Sequence, residues 1–196
     1  MIIKQVYALQ FNLTMLGPKT DLLLGQSVNS SFLRPYPEPL GSTFSNGANF
    51  AVVGSSTLPR NILFALNVQV LQFLHFKARS LELVAAGSGH LLDDQAFRNA
   101  LYVIDIGQTD VSDSFAKNMP YEQVVLKIPS VVSQIKNAIQ VIYNGGGRRF
   151  WVHNTGPFGC LPQRLTMVEK TSENLDRYGC ISSYNAAARV FNEILR

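Results

Sequence analysis

The sequence predicts an α/β fold built on a parallel β-sheet, and three observations carry that prediction. LYVIDI, Leu101 to Ile106, is so nearly continuous in apolar and β-branched residues that it fits a strand covered on both faces. A second apolar run, Phe150 to His153, follows a long stretch with helical periodicity. Strand, helix and strand at this spacing make a βαβ unit, whose crossover is right-handed.

Taken in order, residues 30–60 are rich in Pro, Ser, Asn and Gly, and RPYPEPLG imposes an extended or turning path because proline fixes φ and restricts its predecessor. This segment is predicted as loop. NFAVVG, Asn49 to Gly54, is a short apolar run bounded by turn residues and is predicted as a buried strand ending at a glycine. From Asn67 to Ala86, the positions Leu71, Leu74, Ala78, Leu81 and Val84 recur every three or four residues, with Gln72, Lys77, Arg79 and Glu82 between them. That spacing predicts an amphipathic helix with those five residues inward. It stops at Gly87-Ser88-Gly89, where glycine takes the left-handed C-cap. Pro120 opens a helix running to Asn144, interrupted or kinked at Pro129, with Val132, Ile135, Ala138, Ile139 and Ile142 inward. A last helix runs from Ile181 to Leu195 on Ile181, Tyr184, Ala188, Phe191 and Leu195.

Composition bounds the rest. A chain of 196 residues that is 46% hydrophobic and 15% charged is one ordinary domain, without a repeat or linker to divide it. No run reaches the roughly 18 apolar residues of a membrane-spanning helix. The net charge is +4, but the basic residues are scattered and only Arg148-Arg149 are adjacent, so no nucleic-acid partner is expected. The 2 cysteines, Cys160 and Cys180, fit no CxxC motif and form either one bridge or two thiols. A bridge closes a loop of about 20 residues, worth roughly 3 kcal/mol in the chain-entropy model. It favours an oxidising compartment, as do the sequons at Asn12 and Asn29. The N-terminal stretch is interrupted by Gln5, Gln10 and Asn12 and lacks a cleavage site, so it makes no convincing signal peptide.

Ligands of open parallel sheets bind beyond the carboxyl ends of the strands. Three loops emerge there: Gly54-Ser55-Ser56, Gly107-Gln108-Thr109-Asp110 and His153-Asn154-Thr155-Gly156. Each alone reads as a turn. His75 sits on a helix between Leu74 and Phe76, His90 in a loop, and His153 at a strand end. Ser55, Ser56 and Ser88 are hydroxyls without an identifiable base, and an unactivated serine is a weak nucleophile. No carboxylate pair, His/Cys cluster or phosphate-cradling loop points to a metal or cofactor, and none is predicted.

Together these loops resemble a known family. NGANFAVVGSS, ALYVIDIGQTD, RRFWVHNTGPFGCLPQ and YGCISSYNAAARVFNEIL are similar, in order, to blocks of the plant GDSL-type esterase/lipase family of the SGNH hydrolase superfamily. The resemblance covers 27–196 as a partial hydrolase domain and leaves 1–26 as a divergent segment. It implies a three-layer α/β/α sandwich truncated at both ends, extracellular location, and hydrolysis of carboxylic esters, either small-molecule esters or acylated carbohydrates. The family uses a serine in a GDS block, an oxyanion hole shared by that serine's amide, a glycine and an asparagine, and an Asp/His pair in a DxxH block. No GDS tripeptide occurs in the sequence, and none of His75, His90 or His153 has Asp three residues before it. Hence no catalytic residue carries over, and these 196 residues are expected to be inactive. Gly54 matches the oxyanion-hole glycine, and Thr109 stands where the family has asparagine. Asp110 is expected to cap the following turn, and His153 belongs to the scaffold. The alternative is a non-catalytic carbohydrate- or protein-binding relic of the fold. Loss of the nucleophile-bearing strand is further expected to leave an uncovered apolar sheet edge through which the chain associates.

Overall fold

The structure, a computed structural model, describes residues 8–11, 33–36, 43–59 and 64–196. Its described strands are β1 (Ala8–Phe11), β2 (Arg34–Pro35), β3 (Gly47–Asn49), β4 (Leu101–Ile104) and β5 (Arg149–Val152). They form one sheet in the order β2-β3-β1-β4-β5, and every pairing is parallel. The helices are α1 (Leu66–Ala85), α2 (Asp94–Asn99), α3 (Gln108–Ala116), α4 (Tyr121–Asn144), α5 (Pro162–Met167) and α6 (Ser182–Leu195). The parallel α/β architecture predicted from the sequence is the one observed.

LYVIDI earns its continuous apolarity by position: β4 lies inside the sheet, between β1 and β5, and Tyr102, Val103 and Ile104 are all buried. Tyr102 meets Phe73 of α1 edge-on at 5.6 Å and stacks on Phe150 of β5 at 5.4 Å. Its hydroxyl donates to the Phe97 carbonyl, and burial pushes the phenol well above its ordinary pKa.

The expectation of a missing strand is corrected. Ala8–Phe11 pairs with β3 on one side and β4 on the other, so the N-terminal segment supplies a strand in the interior of the sheet rather than leaving a gap there. Among the described strands, the edges are β2 and β5. β3 also differs from expectation, ending at Asn49 where NFAVVG was expected to begin a strand. The Asn49 carboxamide accepts from the Ala51 N–H at 2.8 Å, a local bond that competes with the ladder.

α1 forms where predicted but turns a different face inward. Its buried residues are Leu66, Gln69, Val70, Phe73, Phe76 and Ser80, whereas Leu71 is 62% exposed. The aromatic pair decides the rotation: Phe73 and Phe76 pack edge-on against Phe50 and Phe97. Leu71 and Leu74 instead line a groove with Ala138 and Val141 of α4. The α1 terminus is as expected, with Gly87 N–H on the Val84 carbonyl and Ser88 N–H on the Leu83 carbonyl.

α4 runs unbroken through Pro129. That residue is on the exposed face, where loss of one helical hydrogen bond leaves a carbonyl that water satisfies. Ile135, Ala138 and Ile142 are buried as predicted, while Val132 and Ile139 are half-buried. α6 buries Tyr184, Ala188 and Phe191 as predicted. Among the described residues, no helix is long and apolar enough to cross a membrane.

Candidate functional site

The chain leaves β3 through Phe50 to Gly54, where φ is +77°, and the Ser55 N–H closes a turn on the Val52 carbonyl at 3.1 Å. It leaves β4 through Gly107, the N-cap of α3, where φ is +113°. Only glycine suits that position. A Cβ there would lie 2.5 Å from the Phe191 ring of α6, so the tight turn and the docking of α6 share one requirement. Gln108, Thr109 and Asp110, expected as loop, are instead the first turn of α3, whose leading N–H groups have no intrahelical acceptors.

Gly54 and Thr109 follow β3 and β4, which are not adjacent as expected; β1 lies between them. The two turns therefore flank the carboxyl end of β1. Both line one cavity of about 250 Å³, together with Ser112 and Asp113 of α3 and Leu161 and Arg164 near α5. Among the described residues, no hydrogen bond uses the Gly54 N–H or the Thr109 hydroxyl.

Asp110, expected to cap the following turn, makes its described side-chain hydrogen bonds elsewhere. Its carboxylate is buried and reaches across to the β3 turn, accepting from the Thr57 N–H and hydroxyl at 2.9 Å each. That clamp fixes Gly54 relative to Thr109.

The opposite wall is built after β5. A single 3₁₀ turn, Phe158–Cys160, leads into α5, and Cys160 is joined to Cys180 by a disulfide with Cα atoms 4.5 Å apart. Asn185 of α6 reinforces the junction, its oxygen accepting from Gly159 N–H at 3.0 Å and its nitrogen donating to Asp176 at 3.3 Å. Asp176 also accepts from the Cys180 and Tyr178 amides, which hold its carboxyl below the usual carboxylate range. From α5, Arg164 donates to the Ser112 hydroxyl and so joins the two walls.

The remaining candidates lie elsewhere. His75 and His90 are exposed. The His153 ring stacks on Trp151 at 5.2 Å, and its Nε2 is buried without a hydrogen-bond partner. Ser55 accepts from Gln69 at 2.7 Å and Ser56 donates to the Leu58 carbonyl at 2.6 Å, so the hydrogen bonds observed at these buried serines do not couple them to His153. Ser88 donates its N–H to the end of α1. Among the described residues, no group of three or more His, Cys, Asp or Glu is placed to hold a metal.

The arrangement is a small, largely apolar cavity at the carboxyl edge of a parallel sheet, with backbone amides on one wall and a guanidinium on the other. Residues 16–196 match the family model described as GDSL-like Lipase/Acylhydrolase. The chain belongs to this family. Two GDSL esterase/lipases of Arabidopsis thaliana are 58% and 55% identical to it over 174 residues, covering 87% of this chain and 46% of each relative. A third relative from the same plant, alpha-L-fucosidase 3, is 38% identical over 184 residues, covering 88% of this chain and 50% of its own length. The chain thus spans about half the length of the curated GDSL relatives it matches.

Sequence reasoning missed Ser112, Asp113 and Arg164. A signal existed for the first two: Thr109, Ser112, Asp113 and Ala116 share one face at helical spacing. It was hidden because QTDVSDSFA is dense in Thr, Ser and Asp, residues that favour turns over helix interiors.

Proposed function

We propose that residues 1–196 supply the oxyanion-binding side of a carboxylic-ester hydrolase and, on their own, bind esters without turning them over. The observation that carries this reading is the convergence of the Gly54 turn and the α3 N-terminus on one cavity. In acyl transfer the carbonyl oxygen gains negative charge, and preorganised N–H donors stabilise it. The Gly54 amide, the first-turn amides of α3 and the positive end of its dipole meet that need. The Thr109 hydroxyl donates one bond where the family uses an asparagine amide; loss of an oxyanion donor elsewhere costs about 2.7–4 kcal/mol.

Turnover requires an activated nucleophile. Ser55 and Ser56 are buried and bonded to Gln69 and Leu58, neither of which is a base. With no GDS tripeptide and no Asp-x-x-His in these residues, the triad chemistry has no members here. The substrate class is a small-molecule ester or an acylated carbohydrate, and the likeness to a relative named alpha-L-fucosidase 3 supports a sugar portion. The disulfide supports an extracellular setting. Association through the β5 edge, where Trp151 is 42% exposed, is part of the same reading.

An assay of the purified 196-residue protein against short-chain p-nitrophenyl esters tests it. No turnover above a heat-denatured control is expected. Turnover well above that control, abolished by Ser55→Ala or Ser56→Ala, overturns the reading.

A further inference from the structure

The charge around Arg164 specifies the ligand further than the family does. Among the described residues, no carboxylate forms an ion pair with Arg164. Asp113, which lines the same cavity, is engaged by Lys117 at 2.9 Å, and Asp110 turns to Thr57. The Arg164 side chain is half-buried, its one hydrogen-bond partner among the described residues is the neutral Ser112 hydroxyl, and its Nε is shut off from solvent with no acceptor. A guanidinium in this state retains donors and a full charge for an incoming acceptor. Its fork geometry suits a carboxylate, which takes two parallel bonds.

Position adds a length. Arg164 is bonded to Ser112, and Ser112 stands three residues after Thr109 on the same helix, so their side chains are neighbours at about 5–6 Å between Cβ atoms. An ester whose carbonyl oxygen is at Gly54 and Thr109 meets Arg164 about one helical turn away. Resting on the proposed ester site, we infer that Arg164 is a specificity-determining residue, and that the preferred ligand is an ester bearing a carboxylate about two methylenes from the ester carbonyl. Hemiesters of short dicarboxylic acids have that form. The acidic group recruits the substrate and fixes its direction in the cavity; it takes no part in bond making or breaking.

The test is calorimetric or NMR-detected binding of monomethyl succinate against methyl levulinate, a neutral ester of the same length and shape, to the 196-residue protein. Monomethyl succinate is expected to bind at least about tenfold more tightly, as a charge-assisted bond implies. Arg164→Gln is expected to bring the ratio close to one. Ser112→Ala keeps the charge but removes the hydroxyl that orients it, and gives an intermediate ratio even where Arg164→Gln perturbs folding. Equal binding of the two esters to the unmodified chain overturns the charge assignment and leaves the ester-site reading standing. Failure of both esters to bind overturns both. A preference that survives in Arg164→Gln, with the circular dichroism spectrum unchanged, also sinks the assignment.

Discussion

On one wall of the cavity a single carboxylate, Asp110, 1% exposed, ties the α3 N-terminus to Thr57; on the other, a disulfide, the Asn185 side chain and the Asp176 carboxylate share the hold on the turn leading to Arg164. The first clamp spans 53 residues of sequence without a covalent link, and its donors are a backbone N–H and a hydroxyl that no water reaches. The second closes a 20-residue separation covalently and surrounds it with replaceable bonds. Among the described residues, the tie between the Thr57 segment and α3 is thus made by one buried carboxylate, while the turn leading to Arg164 is held by several groups. Damage to the first is expected to be concentrated, and damage to the second shared.

The largest effect is predicted for Asp110→Ala. Two buried Thr57 donors then lose their acceptor, at about 1–3 kcal/mol each, so unfolding in urea should show a loss of about 4 kcal/mol. A loss below about 1 kcal/mol would erase the contrast between the walls. Next is Cys160→Ser with Cys180→Ser, expected to cost about 3 kcal/mol on the chain-entropy argument, read as a lowered Tm that reductant no longer changes. Because Asn185 and Asp176 remain, the double variant is expected to keep its preference for monomethyl succinate. Asn185→Ala should cost about 2 kcal/mol, since the Gly159 N–H is left buried without an acceptor. Were it as costly as Asp110→Ala, the shared hold would be disproved.

The smallest effect is confined to acid. The Cys180 and Tyr178 amides depress the Asp176 pKa in the folded state, so the unfolded chain binds more protons and stability rises with pH. The contribution is complete above the ordinary carboxylate pKa of about 4 and fades as pH falls through the lower folded value. Asp176→Asn should flatten that acid limb in a series of thermal melts, and an unchanged limb would remove Asp176 from the clamp.

The elements most legible in the sequence were those whose surroundings leave one pattern no alternative. β4 is covered on both faces and so is apolar throughout; α6 has one buried stripe and shows it. α1 was legible as a helix but not in rotation, because it carries two apolar stripes and aromatic packing, rather than leucine spacing, selected the inner one. β1 gave little signal: four residues, ALQF, with a glutamine among them and Asn12 as the only turn-favouring residue at their borders. At the site, Gly54 and Thr109 stood out through resemblance, but the reach of Asp110 to Thr57 depends on which strand ends the sheet brings together. No local pattern encodes that. Arg164 was invisible for the same reason, since its neighbour Ser112 lies on a helix that the sequence disguised.

β1 occupies the interior of the sheet beside a strand far downstream of it in the sequence, with Ala8 opposite Leu101 and Phe11 opposite Ile104. Those partners leave the ribosome well after β1 does, so the sheet cannot close in the order in which its strands are made. Until then β1 and β3 form at most a partial ladder with one side open, the kind of non-local pairing that folds slowly and exposes strand edges to other chains. Deleting residues 1–11 would accordingly not trim a border. It would divide the sheet into β2–β3 and β4–β5 and part the two turns that carry Gly54 and Thr109, across which Asp110 reaches to Thr57.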